Sequence, residues 1–384
     1  MAFFYSAEVD IGSPPQRVSV LVDTGSSELW VNPDCSSAPT ESQKRQCDSF
    51  GRYEPSRSNT PPSGPHGSED IKYGDPSDAS TQTSVSIDYY RDVVSLGGAV
   101  VSNQTLGVVS RSRGQTQGIL GLAPTLRGDE PYSLVLSSMA AQGLIHARLF
   151  SLDLRSKGDE AGAVVYGGVD RARFAGGLER CAMVDGSEGE RRLAIKLAAV
   201  GYTPGPEEGG SVRTWRVRGS ESDPDPDSGA SVMLDSGTTL SRLHAEVAAP
   251  LLSALDAGPR RSDGYYPVPC SSSSSSSSSS TPSRATVDFT FGRKTIRVPV
   301  SDFILDMDGS SGERECYAGL VVTESQQILG DSVLRAGYFV FDWDNGAVHV
   351  AQAVDCGVGG DVLPVGGGVF PRGSLGGVGR FPLL

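Results

Sequence analysis

Two aspartates in this 384-residue chain stand in nearly the same local sequence: Val22-Asp23-Thr24-Gly25-Ser26-Ser27 near the start, and Leu234-Asp235-Ser236-Gly237-Thr238-Thr239 past the midpoint. In each, an apolar stretch stops at an Asp. A hydroxyl residue follows, then a Gly that frees the backbone to turn, then further hydroxyls, the pattern of a carboxylate presented on a tight loop at a strand end. One such tripeptide reads equally well as a surface turn. Two copies in the same order suggest two halves built on one plan, each giving one carboxylate. A pair of carboxyl groups within hydrogen-bond reach cannot both ionise cheaply, so they share a proton and titrate as a unit. The ionised member can take a proton from water while the protonated member polarises a carbonyl, and the acquired proton can then pass to a leaving amine. Such a pair could hydrolyse a peptide bond with no covalent intermediate.

The elements that must position these loops read as mostly β. Short runs rich in Val, Ile, Phe and Tyr lie between Gly- and Pro-bearing turns at Val18 to Val22, Ser84 to Tyr89, Ala163 to Tyr166, Thr295 to Val300 and Tyr338 to Asp342. Helical spacing of Ala, Leu and Val is confined to Tyr132 to Gln142 and His244 to Asp256. The length suits two lobes, each with its own core, and excludes one small domain.

Bulk properties remove alternatives. A net charge of −13 with no basic stripe argues against a nucleic-acid partner. No apolar run reaches the length of a membrane span. Six cysteines and four scattered histidines contain no C-x-x-C or H-E-x-x-H spacing, so no metal site or other cofactor is expected and disulfides are the favoured use of the thiols.

The repeated loop resembles the pepsin family of aspartic endopeptidases, and the resemblance runs from about Tyr5 to about Ala353. Tyr5 to Gln16 looks like the family's opening hairpin, Trp30 follows the first Asp at the family's spacing, and Ile71-Lys72-Tyr73-Gly74 looks like its flap. Gly118-Ile119-Leu120-Gly121-Leu122 and Ile328-Leu329-Gly330-Asp331 look like the paired apolar-apolar-Gly segments that brace the two loops. Asp75 to Ser80 resembles the fungal yapsin-like branch, with Thr81 where that branch has Gly and Pro76 at the usual flap-tip Gly. Glu28 stands where the family commonly has Asn.

The resemblance implies a bilobal, mostly β acid-protease fold with a central cleft, and an endopeptidase acting on polypeptides at acid pH, as a monomer. Asp23 and Asp235 would be catalytic. Thr24 and Ser236 would cross-bond the loops, Ser26 and Thr238 would orient the outer carboxylate oxygens, and Gly25 and Gly237 would allow close approach. Tyr73, Gly74 and Trp30 would form the flap and its network, and Leu21 and Ile119 would line an apolar pocket. The family also bridges positions matching Cys35 with Cys47 and Cys270 with Cys316, which leaves Cys181 with Cys356 as a third pair. Residues 1 to about 180 would be the first lobe, 181 to 356 the second, and 357 to 384 a Gly-rich disordered tail. Thr203 to Gly229 and the serine run Ser271 to Ser280 read as solvated loops. Asn103-Gln104-Thr105 is a glycosylation sequon. The family implies a secreted, cell-surface or vacuolar location. Met1 stands directly before the first strand, without the leader and prosegment such chains carry, so an N-terminal part is expected to be missing from this sequence.

Two other readings remain at this stage. A pepsin-like lobe pair can serve as a non-catalytic binding or inhibitor protein, although such proteins usually lose an Asp. Gly330-Asp331-Ser332-Val333 with downstream His349 also resembles the nucleophile block of some serine esterases.

Overall fold

The computed structural model describes residues 5–60, 64–74, 81–125, 131–155, 162–185, 191–206, 209–219, 225, 228–270, 284–308, 314–354, 360–366 and 380–382. It is mostly β and divides into two compact units, one built from Tyr5–Phe150, Ala163–Val169 and Leu363–Leu384, the other from Ser151–Gly162 and Asp170–Val362.

The first unit is organised by a seven-stranded sheet of β1 (Ser6–Ile11), β2 (Gln16–Asp23), β3 (Leu29–Val31), β4 (Ser68–Tyr73), β5 (Thr83–Leu96), β6 (Ala99–Arg113) and β7 (Gly118–Gly121), in the order β1-β2-β7-β3-β6-β5-β4. Alternation places Ala7, Val9 and Ile11 of β1 inside. The long β5–β6 hairpin closes through Gly97 and Gly98, both at positive φ, where residues with a Cβ are strained. β2 runs parallel to β7, pairing Leu21 with Ile119 and Asp23 with Gly121, while β3 lies antiparallel on the other side of β7. The loop after Asp23 must therefore pass over the end of β7. That crossing holds the carboxylate at the edge of a rigid sheet rather than on a free turn.

The second unit repeats the crossing. Ala230–Leu234 runs parallel to Ile328–Leu329, with Leu234 opposite Leu329, and Ser241–Leu243 follows on the other side of Ile328–Leu329. The loop after Asp235 thus passes over the end of Ile328–Leu329. A four-stranded sheet of Arg213–Arg216, Ala199–Thr203, Thr286–Phe291 and Lys294–Pro299 buries Val287, Phe289, Phe291, Ile296 and Val298 on one side.

Several expectations change. The units do not divide at residue 180, because Phe174–Ala182 pairs antiparallel with Ala347–Ala353 and so belongs with the second unit. Within Thr203 to Gly229, Arg213–Arg216 forms a strand on Ala199–Thr203 rather than a loop. Part of the C-terminal segment is extended and anchored: the Asp361 N–H donates to Asp170 Oδ1 at 2.8 Å and Val365 N–H to Gly167 O at 2.8 Å. The serine run lies outside the described residues. The helix Glu41–Ser49 was not expected, yet its start is written in Thr40, whose side chain caps the Gln43 N–H at 3.2 Å.

The Cys35–Cys47 and Cys270–Cys316 bridges are present. The third pairing is corrected, because Cys181 is a free thiol, its pKa pushed up to about 11 by burial and then by Glu179. Cys181 lies opposite Val348 in its strand pair. Cys356, the other half of the expected pairing, lies outside the described residues.

Candidate active site

The two carboxylates are held in the same way. Asp23 is 5% exposed; its Oδ1 accepts the Gly25 N–H at 2.7 Å and its Oδ2 the Ser26 hydroxyl at 2.5 Å. Asp235 is 7% exposed; its Oδ1 accepts the Gly237 N–H at 2.8 Å and its Oδ2 the Thr238 hydroxyl at 2.6 Å. Two donors from its own loop therefore fix the orientation of each carboxyl group. Neither Gly25 nor Gly237 adopts a positive φ. The sequence pattern assigns these glycines to turning and to close approach; what the structure shows of them is an N–H placed beside each carboxylate. Thr24 and Ser236 are both buried, at 0% and 1% exposure, as groups beneath a loop would be.

The bracing segments do need glycine. A Cβ on Gly121 would lie 2.4 Å from the Ser27 carbonyl carbon, and one on Gly330 would lie 2.1 Å from the Thr238 oxygen. This close approach lets backbone bind backbone: Gly121 N–H donates to Glu28 O and Ala123 N–H to Ser26 O, both at 2.9 Å, and Asp331 N–H donates to Thr238 O at 2.8 Å. Each carboxylate loop is therefore clamped through its hydroxyl-bearing residue by the segment that follows the apolar-apolar-Gly turn.

In the first unit, Tyr73 ends β4, and its hydroxyl accepts the indole N–H of fully buried Trp30 at 2.7 Å. Burial pushes the Tyr73 phenol above its ordinary range, so it remains a neutral donor. Gly74 follows at φ +93°, and a Cβ there would meet the Thr81 carbonyl oxygen at 2.3 Å, which makes it the narrow neck of the hairpin. Leu21 and Ile119 pack with Trp30, Val85 and Ile87, and Tyr73 and Tyr89 lie against that cluster. Asp75, Pro76 and Asp78 lie outside the described residues. Asn103 is exposed on β6.

Glu28, noted in the sequence only as a departure from the family's common Asn, has a perturbed carboxyl in the structure. Burial, reinforced by neighbouring Glu69, raises its carboxyl to about 7. Tyr89 donates to Glu69 Oε2 at 2.5 Å. The signal was available in the alternation Glu69-Ile71-Tyr73, which sets Glu69 on the same face of β4 as Tyr73.

The serine-nucleophile reading does not survive. Ser332 is fully buried, donates to Gly319 O at 2.6 Å and bonds Ser241 Oγ at 2.8 Å, so it holds backbone together and has no access to substrate. Among the described residues, no group of three or more His, Cys, Asp or Glu side chains is placed to hold a metal, and no helix is long and apolar enough to cross a membrane.

A mostly β chain with an orienting Asp loop in each of two units defines an aspartic endopeptidase with a pepsin-like, bilobal fold. The family profile described as eukaryotic aspartyl protease matches residues 4–353, and the chain belongs to that family. It is similar to three proteins of Candida albicans. Secreted aspartic protease 8 is 32% identical over 355 residues, covering 91% of this chain and 75% of the relative. Secreted aspartic protease 1 is 33% identical over 362 residues, covering 91% and 81%. Candidapepsin-4 is 31% identical over 363 residues, covering 91% and 76%.

Proposed function

We propose that Asp23 and Asp235 act as one dyad that hydrolyses polypeptides with a bound water. The ionised carboxylate removes a proton as the water oxygen bonds to the scissile carbonyl carbon, and the protonated carboxyl donates to the carbonyl oxygen. The carboxyl that took the water proton then delivers it to the amide nitrogen as the carbon–nitrogen bond breaks, while a hydroxyl of the tetrahedral diol returns its proton to the other carboxylate, so the pair again holds one shared proton. The observation that supports this reading is the repeated pairing of one backbone N–H and one hydroxyl on each carboxylate.

Thr24 and Ser236 would cross-bond the loops, and Tyr73 would close over the substrate with its hydroxyl oriented by Trp30. Leu21 and Ile119, in the apolar cluster beneath Tyr73, favour broad cleavage between bulky apolar residues. A peptide-library digest cut almost only after Lys or Arg would overturn that preference. Two disulfides and the secreted relatives favour action outside the cytosol, with exposed Asn103 open to glycosylation, and the proposed working form is the monomer expected of the family. The deciding experiment is hydrolysis of denatured haemoglobin from about pH 3 to 7, with and without pepstatin, by wild type and Asp235→Asn. Acid activity abolished by either treatment is expected. Full activity in a folded Asp235→Asn protein would refute the dyad.

A further inference from the structure

The two carboxylate loops leave sheets of matching register, and that register sets what lies beside each carboxylate. In the first unit Leu21, two residues before Asp23, pairs with Ile119, and Ile119 pairs in turn with Trp30. Residues paired across strands share a face of the sheet, as do positions two apart on one strand. These three side chains do pack as one apolar cluster, with Ile71 and Tyr73 of β4 against it. In the second unit Met233, two residues before Asp235, pairs with Ile328, and Ile328 pairs in turn with Arg242. Arg242 therefore holds in the second unit the place that Trp30 holds in the first. Its strand neighbours Ser241 and Leu243 are fully buried on the other face, where the Ser241 hydroxyl bonds that of Ser332. Arg242 and Ile328 are only partly buried, as is Val321, which pairs with Arg242 on its other side. A second guanidinium reaches the same row, since Arg192 Nη1 lies 3.7 Å from Met233 Sδ. The row beside Asp23 is thus apolar, whereas its counterpart beside Asp235 carries two cations in a chain whose net charge is −13.

We propose that Arg242 is a specificity-determining residue that pairs with an acidic side chain of the substrate, Asp or Glu, close to the bond that is cut. A planar guanidinium offers a carboxylate two parallel N–H donors, a match that an amide or an apolar side chain does not make. Arg242 lies two strands and two residues from Asp235, roughly 12 Å at ordinary sheet spacings. An extended peptide advances about 3.3 Å per residue, so the recognised side chain belongs within about four residues of the cut. The substrate carboxyl must be ionised to pair, and an ordinary Glu titrates near about 4.3, so the preference emerges as pH rises from 3 to 5. The inference rests on the dyad reading and narrows its substrate class, from bulky apolar residues at the cut to such residues with an acid nearby.

The test is kcat/KM of the full chain on end-blocked fluorogenic peptides that share one apolar cut site and carry either Gln or Glu at each of the four positions on either side. At pH 5 one position should favour Glu over Gln by about tenfold, the scale of one charge-assisted bond, and the preference should fade towards pH 3 as the substrate carboxyl gains its proton. Arg242→Gln should bring that ratio to about one, Arg242→Lys should keep part of it, and Arg242→Glu should favour Lys at the same position instead. Each ratio compares two peptides on one protein, so general damage to the fold or to the dyad cancels. A Glu preference undiminished in folded Arg242→Gln overturns the proposal. So does a wild-type ratio near one at every position, a result that needs no variant to fold. Asp235→Asn, assayed alongside, separates the two readings. Residual activity there would sink the dyad, whereas a dead Asp235→Asn with no Glu preference in wild type would sink only the role of Arg242.

Discussion

Replacing Gly330 by alanine adds one methyl group where the structure leaves no room for it. The Gly330 backbone lies at φ −96°, which alanine adopts freely, so the cost comes from contact alone. The new Cβ would lie 2.1 Å from the Thr238 carbonyl oxygen, against an ordinary carbon–oxygen approach of about 3.3 Å. Either the Asp235 loop or the bracing segment must therefore retreat by about 1 Å. Overpacking of this kind typically costs about 1–3 kcal/mol. The same displacement moves Thr238, whose hydroxyl orients Asp235, and a 1 Å misplacement of a reacting group can cost about 100-fold in rate. The expected result is a folded protein with kcat/KM on a fluorogenic peptide lowered by about two orders of magnitude, mostly in kcat, and a lower urea midpoint. Gly121→Ala should behave alike, since its Cβ would lie 2.4 Å from the Ser27 carbonyl carbon. Gly177→Ala is the control: nothing lies within 4 Å of its Cβ, so it should stay within about 0.5 kcal/mol of wild type and keep full activity. Wild-type turnover and stability in Gly330→Ala would refute the view that the brace sets the carboxylate.

Three further outcomes are expected. Folding raises the Glu28 carboxyl to about 7 from an ordinary 4.5, so its contribution to stability is fully present below about pH 4.5 and is lost as pH rises through 7, on the order of 2–3 kcal/mol in all; urea midpoints from pH 4 to 8 should show this slope in wild type and not in Glu28→Gln. Removing the Cys270–Cys316 bridge, which spans 46 residues, should cost about 4 kcal/mol, and removing Cys35–Cys47, which spans 12, about 3 kcal/mol, measured by denaturation of the paired Cys→Ala variants. Arg173→Met should cost about 3–5 kcal/mol in a denaturant titration, because Arg173 donates to the buried carboxylates of Asp153 at 2.6 Å and Asp170 at 3.1 Å and would leave both short of a partner.

What the sequence alone determined was local and repeated. An apolar run ending in Asp, a hydroxyl, Gly and a second hydroxyl is a short-range pattern, and so is the alternation that marks the strands. Both carboxylate loops were therefore readable, the two disulfide pairings came from the family resemblance rather than from local pattern, and observed strands such as Gln16–Asp23 and Gly337–Asp342 extend the expected runs by only one or two residues at an end. Even the unexpected helix at Glu41–Ser49 had its Thr40 cap in plain view. Tertiary structure decided what depends on register between distant strands. The pairing of Cys181 with Val348 carries Phe174–Ala182 into the second unit. The fold also buries Ser332, which removes it from chemistry. Most consequentially, strand pairing brings Tyr89 to donate to Glu69 and sets Glu69 beside Glu28, three residues from separate segments. Acidity there comes from desolvation and a neighbouring charge, neither of which exists until the chain has folded.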